Sequence, residues 1–218
     1  MGPEINASDI VKTAKVVFWD FDGVIKESVG VKTEAFQKLF VEYGPEVTEK
    51  IRLHHEANGG MSRFKKLPIY LEFANVEATD GEVNHLCNKF SDLVLDGVIN
   101  SPWIPGVETF IRSNPNQQIF IVVSATPTEE LLEIIDRLSL RSSFESIFGA
   151  PTSKIEAIKA CLHRLSISAT DAVMIGDASA DLEAASLNKV PFILRRHNSN
   201  YKLAESFAGI TINDLTEI

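Results

Sequence analysis

The sequence predicts an α/β protein: a central parallel sheet flanked by helices, interrupted by an all-helical insertion. Three observations carry this. Short apolar, β-rich runs alternate with helical patterns across the second half of the chain, as in a parallel sheet with right-handed crossovers. The alternation fails between about residues 28 and 100, where helical patterns continue without a convincing strand. The first apolar run, Val16-Val17-Phe18-Trp19, ends in Asp20-Phe21-Asp22-Gly23, which puts two carboxylates where a buried strand should stop.

The expected strands are residues 15–19, 119–123, 172–175 and 191–194, with 210–212 as a short last strand. Residues 129–138, 154–165 and 181–187 read as helices; Leu131, Leu132, Ile134, Ile135 and Leu138 give the first an apolar stripe at helical spacing. Within the insertion, residues 33–43 form a helix with Ala35, Phe36, Leu39 and Phe40 on its apolar side, and Pro45 closes the loop after it. Further helices are expected at 47–56, 64–73 and 81–95. Asn100-Ser101-Pro102 and Pro105-Gly106 mark the return to the sheet. The expected division is a core of residues 1–28 and 102–218 and a helical domain of residues 29–101.

The 218 residues suffice for one large domain or two small ones. A net charge of −9 disfavours a nucleic-acid binder, which needs a basic face. It leaves room for an anionic small substrate, because local cations and a metal override net charge. Cys87 and Cys161 are the two cysteines, too few and too isolated for a disulfide framework, and read as idle or buried thiols. Residues 1–6 show no leader pattern and no apolar stretch reaches membrane-spanning length. The expectation is a cytoplasmic protein, with no nucleic-acid or membrane partner, as a monomer or small homo-oligomer.

Four features fall in order near the carboxyl ends of expected strands. They are Asp20-x-Asp22-Gly23, then Ser124-Ala125-Thr126 ahead of a helix, then Lys154 at a helix start, then Gly176-Asp177 followed by Asp181. In a parallel sheet all four meet on one edge, where open α/β sheets bind ligands. The set suits phosphoryl transfer. A carboxylate can attack phosphorus and form an aspartyl-phosphate. A dianionic substrate calls for a metal, and Mg²⁺ is satisfied by one or two carboxylates plus water. Asp20 and Asp177 are natural ligands for it. Ser124 and the Ala125 N–H can hold phosphate oxygens, Lys154 can pair with nucleophile and phosphate, and Asp22 can serve as general acid and base. Each feature alone is weak, since a strand-end DxD, a helix cap or a surface lysine is common.

In order and spacing these residues resemble the haloacid dehalogenase superfamily, in its phosphatase branch, across nearly the whole chain. The resemblance implies a Rossmann-like core with a helical cap inserted between the first two motifs. It implies Asp20 as nucleophile, Asp22 as acid/base, and Mg²⁺ held by Asp20, the backbone carbonyl of Asp22, and Asp177. Asp181 would support the metal site or Lys154, and Gly23 would shape the first loop. The expected partner is a small phosphorylated metabolite, such as a sugar phosphate. The closest rival is a phosphomutase. Gly176-Asp177 tilts against it, because mutase relatives tend to carry Glu-Asp there, and so does the Ala-Thr-Pro continuation of the second motif. A dehalogenase would lack an acid/base at Asp22, and a non-catalytic sensor would need a broken site.

In the insertion, Gly60-Met61-Ser62-Arg63 is similar to a substrate-contacting cap loop of the β-phosphoglucomutase-like members. Arg63 could grip a phosphate or carboxylate. The alternative is an ordinary helix–helix loop, and the same choice holds for Lys65 and Lys66. Adjacent His54 and His55 read as surface or partly buried. Phe36, Phe40, Phe64, Phe73 and Phe90 read as insertion core. Glu27 could touch a substrate hydroxyl or form a salt bridge beside the hinge.

Overall fold

The computed structural model describes residues 6–216 and residue 218. The expectation made for the first five residues lies outside them. In chain order, α1 (Ala7–Thr13) leads into β1 (Val16–Trp19). Four helices follow: α2 (Val29–Leu39), α3 (Pro45–Ala57), α4 (Arg63–Phe73) and α5 (Asp80–Asn100). Then come α6 (Val107–Ser113), β2 (Ile119–Pro127), α7 (Thr128–Arg137), β3 (Ser146–Ala150), α8 (Lys154–Leu165) and β4 (Ala172–Gly176). The chain finishes with α9 (Ser179–Leu187), β5 (Phe192–Arg195), α10 (Tyr201–Ser206) and β6 (Ile210–Ile212).

The six strands form one sheet in the order β3-β2-β1-β4-β5-β6, and all five pairings are parallel. This is the doubly wound order in which the chain reverses direction between β1 and β4. Trp19 at the end of β1 pairs with Val122 on one side and Ile175 on the other. The residues that follow β1 and β4 therefore emerge side by side at the crevice.

All four residues of β1 are buried, so both its faces are covered. Alternation sends Val16 and Phe18 into a cluster with Ile121, Met174, Ile158 and Ala184, under α8 and α9. Val17 and Trp19 join the larger cluster, which runs on through Phe21, Val24 and Ile25 to Phe36, Leu67 and Phe90 of the insertion. One apolar core thus ties the helical insertion to the sheet.

Several local expectations need correction. Pro45 does not close a loop but opens α3 at its first turn, where its missing N–H costs nothing. Helix α2 begins at Val29 and ends at Leu39, with residues 41–43 in a separate 3-10 turn. Helix α5 runs on to Asn100. Strand β2 continues through Pro127, so Ser124-Ala125-Thr126 belongs to the strand end and the helix starts at Thr128. Phe64 is 42% exposed and is not insertion core, whereas Phe36, Phe40 and Phe90 are buried.

The two connections to the insertion run against each other. The Glu27 N–H donates to the Pro102 carbonyl at 2.9 Å, the Ile104 N–H donates to Ile25 at 3.1 Å, and the Lys26 ammonium lies 4.4 Å from the Trp103 ring centre. Glu27 pairs with Arg195 at 2.8 Å, which realises the hinge-side salt bridge. No helix among the described residues is long and apolar enough to cross a membrane.

Candidate active site

The carboxyl ends of β1, β2 and β4 and the start of α8 meet beneath the insertion, around a cavity of about 480 Å³. Asp20, Asp22, Ser124, Ala125, Thr126 and Asp177 line it from the sheet. Lys32, Phe36, His55, Arg63, Lys66 and Phe90 line it from the insertion.

Asp20 follows β1 directly and is 4% exposed. Lys154 Nζ lies 2.7 Å from its carboxylate and also bonds Asp181. Burial, with the neighbouring Asp181 charge, pushes the Asp20 carboxyl up to about 7 against the pull of Lys154. Burial works against the Lys154 ammonium, but Asp181 and Asp20 outweigh it and hold its pKa above the ordinary lysine value. A Ser153–Glu156 capping box sets the start of α8 and hence the position of Lys154. Asp181 is fully buried; one oxygen takes Lys154 and the other accepts the Ala178 N–H at 3.0 Å and the Asp177 N–H at 3.3 Å. Both its oxygens are thus engaged by its own neighbours.

Asp22 lies two residues beyond Asp20 in a different environment. Ser28 Oγ donates to it at 2.6 Å, Thr126 Oγ1 at 3.2 Å, and Lys32 forms a close ion pair with it. Burial alone would raise its pKa, but the Lys32 charge and these three donors lower it. Lys32 does not stand out in the sequence, and Thr126 enters there only as the last residue of the second motif. Lys32 is placed here only because α2 starts at Val29, and Thr126 because β2 runs further than its apolar run suggests.

Asp177 follows β4. His197 Nδ1 accepts the Ser199 N–H at 3.2 Å, so its Nε2–H is the side that donates to Asp177 Oδ2 at 2.8 Å. Asn200 Nδ2 donates to the Asp177 carbonyl at 2.7 Å. Burial raises the Asp177 pKa, with Asp20 adding to the effect and the His197 hydrogen bond opposing it. His197 and Asn200 went unnoticed in sequence; the signal available was a polar loop, residues 195–200, directly after an expected strand.

One carboxylate oxygen each of Asp20, Asp177 and Asp181 lies within 4.8 Å of the others, and with Asp181 engaged by Lys154 and backbone N–H groups the hard oxygens left for a cation are those of Asp20 and Asp177. Raised acids that close together favour a cation. Lys154 supplies one charge at Asp20 and Asp181, which leaves the side facing Asp177 for a second. The residues therefore fit a divalent metal of the Mg²⁺ type. The Asp22 carboxylate is taken up by its three donors, so its backbone carbonyl is the atom it could offer.

Gly23 sits at φ +76°, and a Cβ there would fall 2.3 Å from Asp177 Oδ2. Gly23→Ala should push Asp177 aside and weaken any divalent-metal binding at this site by about 10–100-fold. Titrating Mg²⁺ against the thermal melting of wild type and variant measures this.

On the insertion side, Arg63 does not present a free guanidinium. It forms a bidentate pair with Glu130 of α7 at 2.6 and 2.7 Å, bonds Ser91 at 2.7 Å, and lies over the Phe90 ring. Burial would raise Glu130, but Arg63 holds its pKa below the ordinary value. Arg63 thus joins insertion to sheet domain in this state. Lys65 is exposed. Lys66 is only 2% exposed, and its Nζ lies 2.7 Å from His55 Nδ1. His55 is therefore buried, against expectation, while His54 stays half-buried beside Tyr70. Burial, then the Lys32 charge, brings the Lys66 pKa down to about 7, with Asp22 and Asp177 opposing from the sheet side.

The linked stability has a definite sign. A lysine whose folded pKa lies below its unfolded one binds fewer protons when folded, so the cost is full below pH 7 and fades toward the unfolded value of 10.5. Lys66→Met should melt above wild type at pH 6, with the gap closing by about pH 10. Thermal melts of both proteins across that range test it.

The family of haloacid dehalogenase-like hydrolases matches residues 17–194. The chain is 24% identical over 179 residues to a phosphorylated carbohydrates phosphatase of Thermotoga maritima, covering 78% of this chain and 80% of that one. It is similar in fold to a β-phosphoglucomutase of Clostridium difficile, with TM-score 0.72 at 19% identity over 94% and 93% of the two chains. It is also similar to a predicted phosphoglycolate phosphatase of Haemophilus somnus, with TM-score 0.73 at 16% identity over 93% and 95%. With the family matched over most of its length and the four motifs gathered at one crevice, the chain belongs to the haloacid dehalogenase-like hydrolases.

Proposed function

We propose that the protein is a Mg²⁺-dependent phosphatase that hydrolyses a small phosphorylated metabolite, a sugar phosphate or similar, through an aspartyl-phosphate on Asp20. One observation carries the reading. Asp20, with the Lys154 ammonium 2.7 Å from its carboxylate, shares one cavity with Asp22, Ser124, Ala125 and Asp177, the groups that an in-line transfer to a carboxylate needs. The name of the Thermotoga maritima relative supports the substrate class.

The core, residues 1–28 and 102–218, would carry the chemistry, and the cap, residues 29–101, would cover it. Asp20, the Asp22 carbonyl and Asp177 would hold Mg²⁺. Bound Mg²⁺ supplies the positive charge that keeps Asp20 ionised and offsets charge on the phosphoryl group. The Ser124 hydroxyl and Ala125 N–H orient two phosphoryl oxygens. An Asp20 oxygen attacks phosphorus as the bond to the ester oxygen breaks, and the Asp22 carboxyl gives its proton to that leaving oxygen. The substrate dianion favours the protonated form of Asp22 at this stage. In the second half Asp22, again a carboxylate, takes a proton from water. The water oxygen attacks phosphorus, the bond to Asp20 breaks, and phosphate leaves. Lys154, steadied by Asp181, neutralises Asp20 as it is released.

The cap and core would part about the paired connections at 25–32 and 97–104 to exchange substrate and product. Acting on a soluble metabolite, the enzyme would work in the cytoplasm. Against the mutase reading, a Cβ at position 176 would lie 2.4 Å from the Asp181 Cβ, so a glutamate there has no room. Phosphate release from a panel of phosphorylated metabolites, with Mg²⁺ and with EDTA, tests the proposal. Mg²⁺-dependent release is expected; isomerised sugar phosphates in place of inorganic phosphate would make it a mutase.

A further inference from the structure

Arg63, the cation that the sequence offers to a substrate, has its guanidinium engaged by Glu130 and Ser91. One helical turn further along α4, Lys66 shares its face and also lines the cavity. Among the described residues its ammonium makes one hydrogen bond, to His55 Nδ1, and pairs with no carboxylate. Accepting that bond requires His55 to be neutral at Nδ1, and burial with the Lys66 charge keeps its pKa well below the ordinary histidine value. The charged groups acting on Lys66 from across the cavity are Lys32, Asp22 and Asp177. Lys32 is already bound to Asp22. The neighbouring wall is apolar, with Phe36 and Phe90.

A buried ammonium without a counter-charge is destabilising, and a methionine would pack there at lower cost. An anion entering the cavity would answer that charge. We propose that Lys66, held by His55, is the cap-side subsite for a second anionic group on the substrate, a carboxylate or a second phosphate, and so sets specificity for doubly anionic phosphate esters. This rests on the phosphatase reading above and deepens it. The subsite already faces the core across the cavity, so that one anion of the substrate would meet Ser124 and Lys154 while the other meets Lys66.

The test compares wild type with Lys66→Met on two substrate pairs. Phosphoglycolate against 2-hydroxyethyl phosphate reads a carboxylate; glucose 1,6-bisphosphate against glucose 6-phosphate reads a second phosphate. A charge-assisted hydrogen bond should favour the doubly anionic member of one pair by about 10–100-fold in kcat/KM. Lys66→Met should erase that preference through KM, with kcat changed by less than about threefold, and the pair affected identifies the group. Equal losses on both members of each pair, or no change, would overturn the proposal while leaving the phosphatase in place. If wild type releases phosphate from none of the four, the phosphatase reading is decided by the wider metabolite panel. Calorimetric titration of Mg²⁺-loaded wild type and Lys66→Met with the two doubly anionic compounds still decides: tighter binding to wild type upholds the subsite, and equal or absent binding removes it. Lys66→Gln, run beside Lys66→Met and checked by thermal melting, separates loss of charge from a packing defect.

Discussion

Asp20→Asn is expected to abolish phosphate release, with a loss on the order of 10⁴–10⁶-fold, the scale seen when a covalent nucleophile or its partner is removed. The amide keeps the shape of the side chain but has no negative oxygen with which to attack phosphorus. The fold should survive. Lys154 retains Asp181 as partner, and the substitution removes one of three crowded buried acids. Wild-type-like melting together with lost turnover would place the effect in the chemistry. An Asp20→Asn enzyme with even one-tenth of wild-type activity would move the nucleophile elsewhere, and Asp22 would then need explaining anew. Asp22→Asn should also be severe, but its carboxylate is bonded to Lys32, Ser28 and Thr126, so that variant mixes lost proton transfer with a disturbed hinge.

The second large effect falls on stability. Glu130→Ala leaves the Arg63 guanidinium buried at 4% exposure with Ser91 as its remaining partner. Stranding one member of a buried ion pair costs about 3–5 kcal/mol, which lowers the melting temperature by on the order of 10 °C in a chain of this size. The pair also joins α4 of the cap to α7 of the core, so its loss should loosen the cap. Hydrogen exchange of residues 25–32 and 97–104 should rise in the variant. The double variant Arg63→Met/Glu130→Met should recover most of the melting temperature, because an apolar pair of similar volume restores packing without a stranded charge. Full stability in Glu130→Ala would mean that the pair carries no net energy and that the cap is held by the shared apolar core alone.

Much of the core was legible because its strands are apolar through and through. Residues 16–19 and 172–175 admit few readings other than buried parallel strands, and the acids after them have to fall at the sheet edge. The missed strand, β3, is the edge strand Ser146-Ile147-Phe148-Gly149-Ala150, where serine and glycine dilute the apolar signal. Helices α1, α6 and α10 are six or seven residues long, too short for a periodic stripe. The motif residues Asp20, Asp22, Ser124, Lys154, Asp177 and Asp181 are gathered as their order implied.

The rest of the site depends on tertiary placement. His197 reaches Asp177 from the loop after β5, twenty residues away in sequence. Lys32 and Thr126 meet at Asp22 across ninety-four residues. Arg63 and Lys66 are both plausible substrate cations in sequence, three residues apart. What separates them is Glu130, sixty-seven residues downstream, which engages the arginine and leaves the lysine to the cavity. Pairing across such distances has no local signature. Both free cysteines are buried.

The central claim is a covalent phosphoryl group on Asp20, and reductive trapping tests it most directly. The Mg²⁺-loaded enzyme is mixed with a turned-over substrate, quenched in acid within the first turnover, and treated with borohydride, which reduces an acyl phosphate to the alcohol. Peptide mass analysis should find homoserine at position 20 only when substrate and Mg²⁺ are both present. Phosphate release with position 20 unmodified, or with homoserine at position 22 or 177 instead, would contradict the account.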